Sequence, residues 1–256
     1  MEPPFTKILF KKALYSFGKD YDHDTYFKDP KTDAEVYSSK QCDPSYKRVL
    51  YFYFPGSNSE QDWEHNLNFI RKDAPVIGRV HGGIWEQFLS LLDHIQERIT
   101  KVDPDQIVIS GYSLGGGIAQ LFARHHSYRS MIPLECFTFG APKVFVEPLN
   151  LPSHVKSISF MLRDDLITYG VPHFYSLGTR IIVSKNGIYC RDREMIHFLW
   201  PRASVWRKKL EFRWHRSSLF SKSIKWCKGS WGHEWSMYTD AMDSFVMTIY
   251  SDIYTR

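Results

Sequence analysis

Residues 107–120 read IVISGYSLGGGIAQ. A β-branched run breaks at Gly111-Tyr112-Ser113-Leu114-Gly115 into a helix-forming segment, which predicts a strand, a sharp turn and a helix. A serine at the tip of such a turn is held in a strained backbone conformation, and bulky residues two positions before or after it would collide with the strand and the helix. The pattern therefore makes Ser113 a candidate nucleophile.

Strands and helices alternate along the chain around this turn. The apolar and aromatic run Arg48–Phe54 stops at Pro55-Gly56 and predicts a buried strand, whereas apolar residues at three- and four-residue spacing predict a helix over His81–Val102. Such alternation predicts a mostly parallel sheet. The other predicted elements are the strands Glu135–Phe139 and Val155–Met161, a hairpin within Thr179–Cys190 around Asn186-Gly187, and a helix over Glu234–Tyr254.

The length of 256 residues predicts a single domain over residues 1–256. Residues 1–46 are polar and weakly patterned, so we expect a covering arm with one helix at Phe5–Phe17 and an edge strand. The N-terminus has no secretory signal pattern and no apolar run reaches the length of a membrane span, which predicts a cytoplasmic protein. The four cysteines are widely spaced, so we expect neither a zinc site nor a disulfide framework.

An acyl-transfer serine needs a base, a carboxylate that orients the base, and donors for the developing oxyanion. In folds built around this turn the acid and then the histidine follow the serine in the chain. Asp164 and Asp165 directly follow the Val155–Met161 strand, and either could instead cap a turn. The histidines that come late enough are His173, His197, His215 and His233.

His233 is the best of these bases, because it lies between Gly232 and the last amphipathic helix, whereas His197 has apolar neighbours and is more typical of packing. One oxyanion donor comes with the turn, from the backbone N–H of Leu114. We expect the second at Ser57, in the loop that follows the Arg48–Phe54 strand. The alternative donor motif, His81-Gly82-Gly83, opens a helix instead of following a strand.

Several blocks of the sequence resemble the fungal-type (class 3) lipases in order and approximate spacing. They are Arg48–Ser57, Asp62-Trp63 through Leu67, Val80–Ile84, Ile107–Ala119 and Phe137–Val144, which includes Phe-Gly-Ala-Pro. The resemblance covers residues 48–170 well and reaches the C-terminal third only through His233.

This resemblance implies an α/β-hydrolase fold, with a mostly parallel central sheet and helices on both faces. It implies a Ser113, Asp165 and His233 triad, with Ser57 and Leu114 as oxyanion donors, and hydrolysis of carboxylic ester bonds in acylglycerol-like lipids. Asp165 is preferred to Asp164 because Asp165-Leu166-Ile167 resembles the family's Asp-x-Val pattern.

The chain departs from the family at Tyr112, Pro55 and Gly117, where His, Arg and Ala are usual. Residues 59–68, with Trp63, correspond to the family's lid. Trp63 is equally well explained as an ordinary packing residue under the loop.

A segment at 200–231 combines tryptophans with cations and carries the chain's basic character. Between Arg202 and Lys228 there are nine Lys or Arg residues and one acid, Glu211. Such a segment suits the headgroup region of an anionic membrane, but a solvated insertion and a nucleic-acid contact are the alternatives. We expect peripheral membrane contact and no nucleic-acid partner.

Together these patterns predict a serine hydrolase that acts on lipid esters without a metal or organic cofactor. An alternative is a catalytically weak hydrolase fold that serves as a lipid-binding or interaction module. A third hypothesis is a different acyl substrate, such as a thioester or a small soluble ester. The oligomeric state is not predicted.

Overall fold

A computed structural model describes residues 13, 23–42, 47–56, 70–162, 165, 167–168, 174–183 and 189–191. The chain divides into two compact units, one formed by Met1–Phe160 with Ile167–Thr179 and the other by Met161–Leu166 with Arg180–Arg256. The prediction of a single domain over residues 1–256 stays a prediction. The segment at 200–231 lies outside the described residues.

The first unit is built on a mostly parallel sheet. In spatial order its strands are β1 (Thr25–Lys28), β2 (Glu35–Cys42), β3 (Arg48–Phe54), β6 (Gln106–Tyr112), β7 (Leu134–Phe139) and β8 (Val155–Leu162). Strands β3, β6, β7 and β8 run parallel to one another, and β1 and β2 extend the sheet antiparallel beside β3.

Two helices of the described residues pack on this sheet, α1 (Gly82–Val102) and α2 (Leu114–Arg129). Helix α2 follows β6 and contacts β6 and β7, while α1 contacts α2. None of the described helices is long and apolar enough to cross a membrane.

Strand β3 is buried along almost its whole length, which explains its unbroken apolar sequence. The side chains of Tyr51, Phe52, Tyr53 and Phe54 are all buried. Phe52 packs edge-to-face on Phe122 of α2, with ring centroids 5.5 Å apart. A central strand that is covered on both faces needs apolar residues at successive positions, and not at alternate ones.

The predicted elements around the Ser113 turn are confirmed. Strand β3 has the predicted bounds, and the predicted helix at 81–102 is α1, which begins one residue later because His81 is its N-cap. The strands β9 (Thr179–Val183) and β10 (Tyr189–Arg191) pair antiparallel, as the Asn186-Gly187 signal predicts. The predicted helices at 5–17 and 234–254 lie outside the described residues, apart from Ala13.

Two features of the fold are not apparent in the sequence patterns. The predicted covering arm contributes two paired strands, β1 and β2, and not a single edge strand. A separate two-stranded hairpin, formed by β4 (Arg71–Ala74) and β5 (Gly78–His81), precedes α1. Both were hard to predict because polar residues fill strand positions, as with buried Ser38 and Ser39 in β2.

Candidate active site

Ser113 occupies the turn between β6 and α2 with a left-handed backbone. Its φ is 52° and its ψ is −124°, which is a conformation that side chains other than Gly rarely adopt. Three backbone hydrogen bonds hold it there: its N–H donates to the Phe139 carbonyl at 2.9 Å, and its own carbonyl accepts from the N–H groups of Gly116 at 2.9 Å and Gly117 at 3.3 Å. The hydroxyl makes no cap hydrogen bond with α2. The serine is therefore placed by its backbone, in a strained position that is typical of functional sites.

The glycines on either side of Ser113 allow three segments to meet. A Cβ at Gly111 would lie 2.4 Å from the Gly115 carbonyl oxygen, and one at Gly115 would lie 2.1 Å from the Phe54 carbonyl oxygen. Neither gap can admit a methyl group. The collisions expected from the sequence thus occur against the start of α2 and against the end of β3.

The loop after β3 lies against the serine. A Cβ at Gly56 would be 3.2 Å from Ser113 Cβ and 2.9 Å from Tyr112 Cδ1, so the absence of a side chain lets this loop approach Ser113 closely. Leu114 is buried and is the first residue of α2, where backbone N–H groups have no partner within the helix. The structure brings together Ser113, Leu114 and the loop that precedes Ser57; Ser57 itself lies outside the described residues.

Asp165 follows β8 in the second unit and is fully buried. Its N–H donates to the Leu162 carbonyl at 3.1 Å. A carboxyl group at this depth needs hydrogen-bond or charge partners, unlike an aspartate that caps a solvated turn. The other acid candidate, Asp164, lies outside the described residues.

The histidines considered as the base, His173, His197, His215 and His233, also lie outside the described residues. Two of the described histidines, His125 and His126, lie in α2. His126 Nε2 lies 2.8 Å from the Ile132 carbonyl oxygen, and burial lowers the pKa of His125 and His126. Both are in the last two turns of α2, far along the helix from Ser113.

The alternative oxyanion motif at residues 81–83 is used for local structure. His81 is buried and its Nδ1 accepts the Ile84 N–H at 3.4 Å, which caps α1. The Gly82 N–H donates to the Ile70 carbonyl at 2.8 Å. Because this N–H is already paired, the geometry favours the loop after β3 as the source of the second donor.

Gln120 is a supporting residue that no sequence pattern indicated. It is fully buried in α2, and its Nε2 donates to the Pro142 carbonyl at 3.1 Å. Its Oε1 accepts the Leu177 N–H at 2.8 Å. Gln120 therefore ties the helix behind Ser113 to two loops. The only available signal was a polar residue four positions after Gly116 in the helix that follows the serine turn.

The Phe-Gly-Ala-Pro block contacts the same helix. A Cβ at Gly116 would lie 2.6 Å from Ala141 Cβ, so the loop after β7 packs directly on the first turn of α2. Gly140 has a φ of 61° and turns the chain into this contact. The Phe-Gly-Ala-Pro block and the turn that carries Ser113 thus pack against each other.

Residues 51–174 match the family model described as Lipase (class 3). Residues 51–174 therefore carry a class 3 lipase domain, of the α/β-hydrolase superfamily. This match supports a carboxylic ester hydrolase, as the sequence predicted. Among curated proteins, no sequence matches the chain.

Solved structures of fungal lipases share the fold. A fungal lipase–inhibitor complex aligns with a TM-score of 0.54 and 18% identity, over 66% of this chain and 69% of that one. The Rhizomucor miehei triacylglyceride lipase aligns with a TM-score of 0.54 and 17% identity, over 69% of this chain and 76% of that one. The Rhizomucor miehei lipase propeptide complex aligns with a TM-score of 0.52 and 18% identity, over 66% of this chain but only 59% of that one.

Proposed function

We propose that this protein hydrolyses carboxylic ester bonds of lipids through an acyl-enzyme on Ser113, with Asp165 and His233 as its triad partners. The observation that carries the proposal is the strained serine between β6 and α2, next to the buried N-terminus of a helix. The class 3 lipase domain supports ester hydrolysis as the reaction, and triacylglycerols or phospholipids are the substrate classes that follow from it.

In this mechanism His233 removes the hydroxyl proton while Ser113 Oγ attacks the acyl carbonyl carbon. The carbonyl oxygen takes the negative charge and accepts hydrogen bonds from the N–H groups of Leu114 and Ser57. The intermediate collapses, the alcohol leaves with the proton held by His233, and an acyl-Ser113 ester remains. Water then attacks the acyl carbonyl carbon while His233 removes its proton. The fatty acid is released as Ser113 Oγ takes that proton back from His233. Asp165 orients the imidazole throughout.

The structural features of Leu114 and Asp165 support these roles. A helix N-terminus carries partial positive charge as well as unpaired N–H groups, so the Leu114 N–H favours a developing anion. The full burial of Asp165 favours a partnered carboxylate in preference to a solvated turn cap. A Cβ at Gly56 would lie 3.2 Å from Ser113 Cβ, so the loop that leads to Ser57 approaches the serine turn closely.

Covalent labelling with a fluorophosphonate tests the proposal directly. We expect the wild-type protein to be labelled, and Ser113→Ala to be unlabelled and inactive on acylglycerols and nitrophenyl esters. Ser110→Ala is the matched control, since Ser110 is a nearby serine of β6 whose hydroxyl donates to the Ala13 carbonyl at 2.7 Å. Labelling that persists in Ser113→Ala, or none in the wild type, would contradict the acyl-enzyme.

We also propose that residues 200–231 bring the protein to anionic membranes. The support is the interleaving of tryptophans with nine cations, which suits headgroup phosphates and the interfacial region. Flotation with phosphatidylserine-containing vesicles should show binding that weakens as salt rises. Binding that is indifferent to salt, or that prefers single-stranded DNA, would argue against membrane contact by this segment.

A further inference from the structure

Tyr112 lies where the pairing between β3 and β6 stops. The last pair of these two strands is Phe54 with Gly111, so Tyr112 is the first residue of β6 that has no partner in β3. On the other side of the same gap, β3 ends at Phe54 and the chain continues through Pro55 and Gly56. Contacts other than the ladder between β3 and β6 must therefore fix the loop after β3.

The ring of Tyr112 supplies such a contact. A Cβ built on Gly56 would lie 2.9 Å from Tyr112 Cδ1 and 3.2 Å from Tyr112 Cε1. Because a Cβ lies about 1.5 Å from its own Cα, the Cα of Gly56 is within about 4.4 Å of the ring, which is van der Waals contact. The atoms that meet Gly56 are ring carbons, and not the phenol oxygen.

This contact explains why residue 56 is glycine. The φ of Gly56 is not positive, so the backbone dihedral itself does not demand glycine here. Space does: the nearest atom to the added Cβ belongs to the ring of Tyr112, and Ser113 Cβ follows at 3.2 Å. Gly56 and Tyr112 therefore form a pair in which the missing side chain of one admits the ring of the other.

The position of Tyr112 is also limited from the other side. Tyr112 pairs with Phe139 of β7, and Phe139 pairs with Phe160 of β8, so three aromatic side chains lie on one face of the sheet. Phe139 and Phe160 are fully buried, and their rings stack with centroids 5.5 Å apart. Tyr112, which is half-buried, thus stands between this aromatic layer and the loop after β3.

Gly56 shares a peptide unit with Ser57. The Gly56 carbonyl and the Ser57 N–H belong to one planar group, so the position of Gly56 limits where that N–H can point. We propose that Tyr112 is a positioning residue for the oxyanion site, and that its ring holds Gly56, and with it the second donor, beside Ser113. This inference rests on the proposed function, in which the Ser57 N–H stabilises the oxyanion.

Kinetics on a soluble nitrophenyl ester test the proposal. Tyr112→Val suits a strand but ends before the ring carbons that meet Gly56, so it should lower kcat about tenfold, which is less than the loss of a whole donor. KM should change by less than about twofold, because the donors act chiefly in the transition state. Tyr112→Phe retains the ring and should keep kcat within about twofold of the wild type.

Inhibition by a trifluoromethyl ketone gives a readout that lower stability alone does not move. Ser113 Oγ adds to the ketone carbon, His233 takes the hydroxyl proton, and the ketone oxygen becomes an oxyanion held by the same donors. The Ki should rise about tenfold in Tyr112→Val, in step with the fall in kcat. Tyr37→Val is the matched control, since Tyr37 is also a half-buried strand tyrosine but lies two strands away in β2. It should leave kcat and Ki unchanged.

A double-mutant cycle with Gly56→Ala tests the contact itself. In the wild type the added methyl group meets the ring of Tyr112 and displaces the loop, which should lower kcat about tenfold. In Tyr112→Val the ring is gone, so the same substitution should lower kcat by less than about threefold. Equal effects in the two backgrounds would mean that the ring does not set the position of Gly56.

The outcomes separate this inference from the proposed function. If fluorophosphonate labels the wild type, unchanged kcat and Ki in Tyr112→Val would overturn the role of Tyr112 alone. A loss of kcat in Tyr112→Phe equal to that in Tyr112→Val, or an equal loss in Tyr37→Val, would overturn it as well. A wild-type protein that is neither labelled nor active would refute the proposed function, and the role of Tyr112 would fall with it.

Discussion

A Cβ built on Gly115 would lie 2.2 Å from the carbonyl oxygen of Pro55, so the helix that carries the serine turn meets the loop after β3 through backbone alone. The contact is between main-chain groups that cannot rotate away. It fixes the distance between the start of α2 and the loop that leads to Ser57. The proposed oxyanion site therefore depends on Gly115, although Gly115 has no proposed contact with substrate.

Gly115→Ala should consequently destabilise the protein and reduce kcat. The added methyl group must push the loop away from α2, which we expect to cost about 3 kcal/mol in urea unfolding. The loop movement also displaces the second oxyanion donor, and loss of one such donor lowers kcat by about 100-fold or more. Steady-state kinetics on a soluble nitrophenyl ester measures the second effect.

Gly117→Ala is the control for this substitution, two residues further along the same helix. Its Cβ would meet the end of the Ile84 side chain, at 2.9 Å from Cδ1, and that group can rotate. The change should stay within about 1 kcal/mol, because the helix gains propensity from Ala while Ile84 adjusts. If the two variants behave alike, backbone contact is not what demands glycine at 115.

The sequence was sufficient for the elements whose residues had to satisfy one dominant constraint. Strand β3 is buried among apolar neighbours and shows an unbroken apolar run, and α1 buries one face and shows a helical repeat. The turn at Ser113 was recognisable because steric contacts demand glycine at 111 and 115. In each of these cases local sequence and tertiary surroundings require the same residues.

The sequence did not predict elements in which polar residues are buried or in which a turn position holds an unusual residue. In β2 the buried positions include Ser38 and Ser39, so no apolar alternation marks the strand. The β4–β5 hairpin has Val76 at a position where Gly or Asn would have signalled a turn. Gln120 has partners distant in the chain, and no pattern within α2 reveals them.

Replacement of Gln120 should lower the free energy of unfolding, because its two distant partners lose their hydrogen bonds. Gln120→Ala leaves the Leu177 N–H and the Pro142 carbonyl buried without the side chain that now pairs them. We expect a loss of about 3 kcal/mol, because each buried polar group left unpaired costs about 1 to 3 kcal/mol. Gln96→Ala, at an exposed position of α1, should change stability by less than about 0.5 kcal/mol. Urea unfolding of both variants gives the comparison, and similar losses would contradict a bridging role.

The buried thiol of Cys136 should make the free energy of unfolding fall as pH rises above 9. It is fully buried in β7, and burial raises the pKa of its thiol from 9.0 to about 12. The folded state then keeps a proton that the unfolded state releases above pH 9, so the contribution is complete below pH 9 and is lost as pH rises towards 12. Over that window one retained proton corresponds to about 1.4 kcal/mol per pH unit.

Cys136→Ala should flatten this dependence without removing that of other groups, such as Tyr37, whose pKa is raised to about 12 mainly by burial. The comparison is of slopes between pH 9 and 10, since the alanine also leaves a small cavity that lowers stability equally at all pH values. Identical slopes for the two proteins would show that the thiol does not titrate on unfolding.

The strain at Ser113 predicts that catalysis and stability oppose each other at this residue. Ser113→Ala and Ser113→Gly both lose the nucleophile, but only glycine adopts a φ of 52° and a ψ of −124° without a side-chain penalty. The glycine variant should therefore be more stable than the alanine variant by about 1 kcal/mol, because relief of strain exceeds the added flexibility of the unfolded chain. Thermal unfolding of the two inactive proteins measures the difference without interference from turnover. A more stable alanine variant would mean that the turn stores no strain, and that its glycines serve close packing alone.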